Sequence, residues 1–282
     1  MSYAKAFSKA VVLVAGGLTL TACDTLSSLN PFGGEKYKME IVPEVPAEQL
    51  YNQGLARLEG RDFEGAAKKF ADLDKQYPYS EWSRKALIMT AYSHFEGQQW
   101  SDAISTSKRY LQLHPASKDA AYAQYLMAMS YYNQIPDTTR DQEQTEKAVV
   151  ALQELIDRYP KSEYVADARY KIQVARDQLA GKEMQVGRWY LEKRNYTAAI
   201  NRFRAVVEGY QTTNQVSEAL YRLVECYLAL GQPEEAQAAA AVLENNQRSA
   251  ADTEWYKRSY AVLQGRNLSP QRSSGSWLTR LF

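Results

Sequence analysis

The sequence predicts an all-α chain built as a solenoid of about five antiparallel helical hairpins, and three observations carry that prediction. Small residues stand 12 positions apart in four places: Gly54 to Ala66, Ala91 to Ala103, Gly187 to Ala199 and Val224 to Ala236. A further step of 12 runs from Ala66 to Pro78, Ala103 to Pro115 and Ala148 to Pro160, and a proline there stops the second helix of each pair. Between these landmarks apolar residues recur at three and four, and no run alternates for long enough to make a sheet.

Residues 1–22 read as a secretory signal peptide. Lys5 and Lys9 precede an apolar stretch over residues 11–20, about half the roughly 20 residues a membrane-spanning helix needs and interrupted by Gly16-Gly17. The junction Leu20-Thr21-Ala22-Cys23 resembles a bacterial lipobox, in which the cysteine is diacylated, becomes residue one after cleavage and is then N-acylated. Three acyl chains, each contributing about 0.8 kcal/mol per buried methylene, would anchor the chain durably. Residues 23–46, with Pro31, Pro43, Pro46 and Gly33-Gly34, have no sustained period and read as a flexible tether.

From residue 47 the small-residue and proline landmarks resemble the tetratricopeptide repeat (TPR) of roughly 34 residues, whose small residues let paired helices approach. Three units fill residues 47–160. In the third, Ala128 and Ala148 are 20 apart, so a polar insert near residues 135–145 lengthens the loop. After each proline a serine follows two residues on, at Ser80, Ser117 and Ser162, placed to cap the next helix. Between Ser162 and Ala180 an additional linking helix is expected, followed by two further repeats, so that residues 161–247 form a C-terminal half. A terminal helix over 248–264 and a flexible tail over 265–282 complete the chain. The tail's apolar end, Ser276 to Phe282, reads as a short docking segment for another subunit, with occupation of the chain's own groove as the alternative.

Composition excludes several functions. The 34 Lys+Arg against 33 Asp+Glu give a net charge of +1 without blocks of like charge, which disfavours nucleic-acid binding. Two histidines and two cysteines are too few for a zinc or iron–sulfur site or a disulfide framework, and no catalytic residue, metal site or cofactor is expected beyond the lipid on Cys23. His94, His114 and Cys226 read as structural. Tyrosine is in excess, at 21 residues, and suits binding surfaces because it joins apolar area to a polar tip.

Laid on the TPR frame, the first helices of the three N-terminal units present Tyr51, Lys85, Tyr92, Phe95, Tyr122, Tyr125 and Tyr132 to the concave side, an aromatic groove with Lys85 as its positive charge. Packing between repeats is the alternative role for each ring. The corresponding set in the C-terminal half is more charged and includes Arg188. Arg188 and Arg202 are expected to contribute to partner docking, with surface ion pairs as the alternative.

The lipobox, the tether, five TPR-like units with an insert in the third, and the Tyr-Pro-x-Ser-x-Tyr/Trp junctions together resemble the BamD family, TPR lipoproteins of the outer-membrane β-barrel assembly machine. The resemblance covers roughly residues 20–245 and is most specific over Arg158 to Tyr164, Asp167-Ala168, Lys171 to Leu179, and Tyr196 with Ala199 to Arg202. It implies a lipid-anchored protein on the periplasmic face of the outer membrane. It also implies N-terminal repeats that recognise the terminal strand of unfolded barrel proteins. The C-terminal repeats would dock on the periplasmic domains of the central barrel subunit, with other lipoproteins alongside. Asp24 departs from the pattern, because in enteric bacteria an aspartate after the lipidated cysteine signals inner-membrane retention. A TPR lipoprotein or periplasmic scaffold serving cell division, peptidoglycan synthesis or pilus assembly would share anchor and repeats. A lipid-anchored enzyme would need a catalytic constellation that the sequence does not offer.

Overall fold

A computed structural model describes residues 45–246, 249–271 and 276–281; the expected signal peptide, Cys23 and the expected tether up to residue 44 lie outside them. Among the described residues eleven α-helices occur and no strand. They form five antiparallel hairpins, α1 (Ala47–Glu59) with α2 (Phe63–Gln76), α3 (Glu81–Glu96) with α4 (Trp100–Leu113), α5 (Ala120–Tyr132) with α6 (Glu143–Arg158), α7 (Val165–Glu192) with α8 (Tyr196–Gly209), and α9 (Val216–Ala229) with α10 (Pro233–Asn245). Helix α11 (Ala250–Gln264) packs on the last pair, and one 3₁₀ turn covers Trp277–Arg280. The expected TPR-type solenoid is the observed fold. No described helix is long and apolar enough to cross a membrane.

The 12-residue spacing marks where each pair touches. In the first and fourth hairpins the small residue is glycine, and an ideal Cβ at Gly54 or Gly187 would stand 2.5 Å from the ring of Phe70 or Phe203. Both rings are fully buried, so absence of a side chain on one helix makes room for the largest core side chain on the other.

The turns inside four of the five hairpins share a device. Arg61, Gln98, Arg194 and Gly231 have φ of 58°, 57°, 56° and 71°, one left-handed residue that ends the first helix and reverses the chain. Asp62 and Asn195 then cap α2 and α8, their side-chain oxygens accepting from the N–H groups of Gly65 at 3.0 Å and Ala198 at 3.2 Å.

The corners between hairpins share another. Tyr77, His114 and Tyr159 terminate α2, α4 and α6 with φ between −128° and −134°, the extended geometry a following proline imposes. Ser80, Ser117 and Ser162 then donate their N–H groups to the carbonyls of those three residues at 3.0–3.1 Å. Ser80 caps α3 as expected, accepting from Ser83 N–H at 3.1 Å. Ser117 and Ser162 do not cap directly: their hydroxyls accept from Asp119 and Tyr164 N–H, and a further turn precedes α5 and α7. A fourth corner, Tyr210 to Thr213, has the same bond at 3.0 Å without a proline.

The linking helix expected between Ser162 and Ala180 is helical but not separate. It is continuous with the first helix of the fourth hairpin, giving the 28-residue α7. Gly181 lies at the anticipated break, but a lone glycine inside a helix costs only about 1 kcal/mol and stops nothing. The insert packs on the middle of this long helix: Gln178 Nε2 donates to Pro136 O at 2.8 Å and Lys182 Nζ to Thr139 O at 3.1 Å. The apolar end of the tail, expected to dock on another subunit, folds back on the last hairpins, where Leu278 is fully buried.

Candidate functional site

The first helices of the N-terminal hairpins carry aromatic residues at intervals of three and four, so the rings line one face and continue from helix to helix. Tyr51 sits 5.4 Å from Phe70 and 5.1 Å from Trp82, centroid to centroid, and Lys85 Nζ lies 4.7 Å over the Trp82 ring. Tyr92 and Phe95 are half-buried, with Phe95 edge-on to Trp100 at 5.5 Å. Tyr125 stacks on Tyr164 at 4.7 Å and donates its hydroxyl to Asp167 Oδ2 at 2.8 Å, while Tyr122 tilts against Tyr164 at 5.6 Å. Lys171 Nζ stands 4.8 Å over Tyr132. The six aromatic residues expected on this face are therefore divided among three packing groups, each shared between the rings and the core beneath them, while Lys85 stands over the Trp82 ring.

Burial pushes the hydroxyl pKa of Tyr51, Tyr92, Tyr122, Tyr125, Tyr132 and Tyr164 upward. For Tyr122 the neighbouring tyrosines Tyr92, Tyr164 and Tyr125 and the charge of Glu96 add to burial, and for Tyr125 the hydrogen bond to Asp167 does. All stay neutral in ordinary buffers. The row thus offers ring faces and uncharged O–H groups, the chemistry of binding apolar side chains and of donating to carbonyls, with no activated nucleophile.

Beside it, between the corner that joins the second and third hairpins and the corner that joins the third and fourth, opens a cleft of about 680 Å3 lined by Lys118, Arg158 and Lys161, by Asp119 and Glu163, and by Tyr122, Tyr159 and Tyr164. No carboxylate lies within ion-pair distance of these three cations among the described residues. Sequence reasoning placed the groove's positive charge at Lys85 and passed over this cluster. It also passed over Trp82 and Tyr164, which stand two residues after Ser80 and Ser162 in the Ser-x-Trp/Tyr part of the corner motif; that motif was the signal that could have found them.

The C-terminal half holds a different surface. Arg188 Nη1 donates to both carboxylate oxygens of Glu218 at 3.0 Å. Arg222 bonds Glu225 at 2.8 Å and reaches Glu218 at 3.4 Å, and Tyr221 donates to Glu225 at 2.7 Å. Trp255 of α11 closes the group, 5.3 Å from Tyr221 and with the Arg258 guanidinium 4.7 Å above it. Arg202 is elsewhere, paired with Glu183 at 3.1 Å. The two arginines expected to share a docking role are thus not brought together, and each is held by a carboxylate of its own chain.

Cys226 is fully buried and burial pushes its thiol up to about 12, so it packs as a small apolar side chain. His94 Nδ1 pairs with Gln99 Oε1 at 2.6 Å, and the His114 ring lies 5.3 Å from Tyr110 at the α4 corner.

The sequence profile of the YfiO family, described as an outer membrane lipoprotein, matches residues 43–243. The chain is 43% identical over 254 residues to the outer membrane protein assembly factor BamD of Caulobacter vibrioides, covering 90% of this chain and 82% of that protein. It is 38% identical over 247 residues to the factor of the same name from Rickettsia prowazekii, covering 88% and 93%. A third, from Neisseria meningitidis serogroup A, is 30% identical over 248 residues and covers 84% and 91%.

Proposed function

Because this chain belongs to the BamD family of outer membrane protein assembly factors, we propose that its three N-terminal hairpins hold the terminal strand of unfolded barrel proteins while its C-terminal hairpins dock on the barrel-forming subunit. The chain works in outer membrane protein assembly as one subunit of a larger complex. Its role is recognition and positioning rather than catalysis. Cys23 carries the lipid that holds it to the periplasmic face of the outer membrane, and other lipoproteins of the complex are its neighbours. Family membership favours this reading over a scaffold for cell division, peptidoglycan or pilus assembly.

The observation that carries the client assignment is the set of ring groups on the first helices, Tyr51 with Trp82 in the first and second hairpins, then Tyr92 near Tyr122, and Tyr122 and Tyr125 against Tyr164. A terminal barrel strand exposes alternate apolar or aromatic side chains and ends in a carboxylate; the rings suit the former and the Lys118, Arg158 and Lys161 cleft suits the latter. Docking of the second half rests on the Arg188, Glu218, Arg222 and Glu225 network with Trp255, in which a partner's charges would exchange with existing pairs.

The test measures binding of a synthetic C-terminal barrel peptide to the chain. Tyr92→Ala is the chosen ring deletion, because the carboxylate beside Tyr92, Glu96, lies on its own helix, whereas Tyr125 ties α5 to Asp167 of α7. Aromatic anchors desolvated on binding are often worth 2 kcal/mol or more and exposed charges less. Tyr92→Ala should therefore weaken the peptide more than Lys85→Ala, with helicity retained. Equal affinity for Tyr92→Ala and the parent chain would remove the groove assignment.

A further inference from the structure

Residues 276–281 make a small contact with the fourth and fifth hairpins. Ser276 Oγ donates to Glu235 Oε2 at 3.1 Å and accepts from Leu278 N–H at 3.4 Å, starting the 3₁₀ turn. Trp277 Nε1 donates to the Tyr227 hydroxyl at 3.2 Å, and the Arg204 guanidinium lies 4.3 Å over the indole. Leu278 enters the core fully buried, and Leu281, three residues on, packs partly against the same cluster.

Every group that receives the segment sits on a preformed helix: Arg204 on α8, Tyr227 on α9 and Glu235 on α10. The receiving face has the anatomy of a peptide site, an apolar hole for one leucine ringed by an acceptor for a hydroxyl, an acceptor for an indole N–H and a cation for the ring face. The occupant is short. It has a single turn of 3₁₀ helix, and its hydrogen bonds and ring contact fall on two hairpins that form without it.

We propose that this face of α8, α9 and α10 is a docking socket for a short Ser-Trp-Leu-x-x-Leu segment, filled in cis by residues 276–281 until a partner presenting the same chemistry displaces them. The partner segment carries a buried leucine preceded by an indole, with a second apolar residue three positions later. The cis segment competes at the high local concentration its attachment gives it, so the socket is masked in the isolated chain and opens only to a competitor or to release of the tail.

The probe is a fluorescent synthetic peptide with the sequence of residues 271–282, titrated by anisotropy into the full-length chain and into full-length Leu278→Asp, whose own segment can no longer enter the hole. The peptide should bind Leu278→Asp at least tenfold more tightly than the parent, and adding Arg204→Glu should reduce that binding at least tenfold. Trp277→Ala, a milder release, should fall between. In the parent chain, amide hydrogens of residues 277–281 should exchange at least tenfold faster than those in the middle of α9. Equal peptide binding by parent and released chains, absence of binding to both Leu278→Asp and Trp277→Ala, or protection of the segment equal to that of α9 would each overturn the proposal and leave a fixed structural cap. A concentration-dependent dimer of the parent that Leu278→Asp abolishes would also overturn it, by making a second copy the occupant.

Discussion

Replacing Gly187 by alanine tests a close helix approach in the C-terminal half. The added carbon would stand 2.5 Å from Phe203 Cε1 and 2.8 Å from Cδ1, against an ordinary carbon–carbon contact of about 3.5–4.0 Å. Either the ring or the helix must yield by roughly 1 Å in a core where Phe203 has no exposed surface. Overpacking of this kind costs about 1–3 kcal/mol, while removing a glycine from a helix interior returns about 0.5–1 kcal/mol. The net expectation is a loss of about 1–2 kcal/mol, read as a fall in Tm on the order of 2–8 °C by circular dichroism. Phe203→Leu should relieve the clash, so that it destabilises the Gly187→Ala variant by about 1 kcal/mol less than it does the parent. Gly209→Ala is the internal control, since a Cβ there meets nothing within 4 Å, and it should be neutral or slightly stabilising. The packing argument fails if Gly187→Ala matches the parent in stability, or if the two changes prove additive.

At Gly231, whose φ is 71° with open space around it, alanine should destabilise by about 1 kcal/mol through backbone strain alone, measurable by urea denaturation and contradicted by an unchanged midpoint. Cys226 should resist thiol reagents at pH 8 until the chain unfolds. Because its folded pKa is raised from the ordinary 9 to about 12, its contribution to stability is intact below pH 9 and is lost as pH rises towards 12; rapid stoichiometric labelling of the native chain would contradict this. Cys23→Ser should leave the helical domain folded but release it from membranes, and a variant that still sediments with partner-free vesicles would show that the anchor is elsewhere.

The fold was legible because close helix crossings demand small residues and chain reversals demand proline and serine, and both leave marks at fixed intervals. The fused α7 was not, since Gly181 looks like a break in sequence and is ordinary in a helix. The fourth corner escaped because Tyr210 adopts a φ of −129° without a proline to announce it. The ring row was half visible. Helical spacing picked Tyr51, Tyr92, Tyr122 and Tyr125, but Trp82 and Tyr164 stand near the starts of their helices, outside the periodic frame, and enter the row through the corner geometry. Arg188 and Glu218 are 30 residues apart, and a pairing set by the crossing of two hairpins has no local signature. For the same reason the burial of Leu278 depends on Tyr227 and Glu235, far back in the chain.

The continuity of α7 constrains how this chain can change length. Lys171, at the aromatic row, and Arg188, in the charged network, share that one helix, with about 25 Å between them at 1.5 Å per residue. A single residue inserted between them would turn everything that follows by about 100° and carry Arg188 away from Glu218. Seven inserted residues complete nearly two turns, restoring the facing within about 20° while adding roughly 10 Å. The loop over residues 133–142 has no such phase. Lengthening there is absorbed in the loop, whereas lengthening within α7 is tolerated only in whole-turn steps.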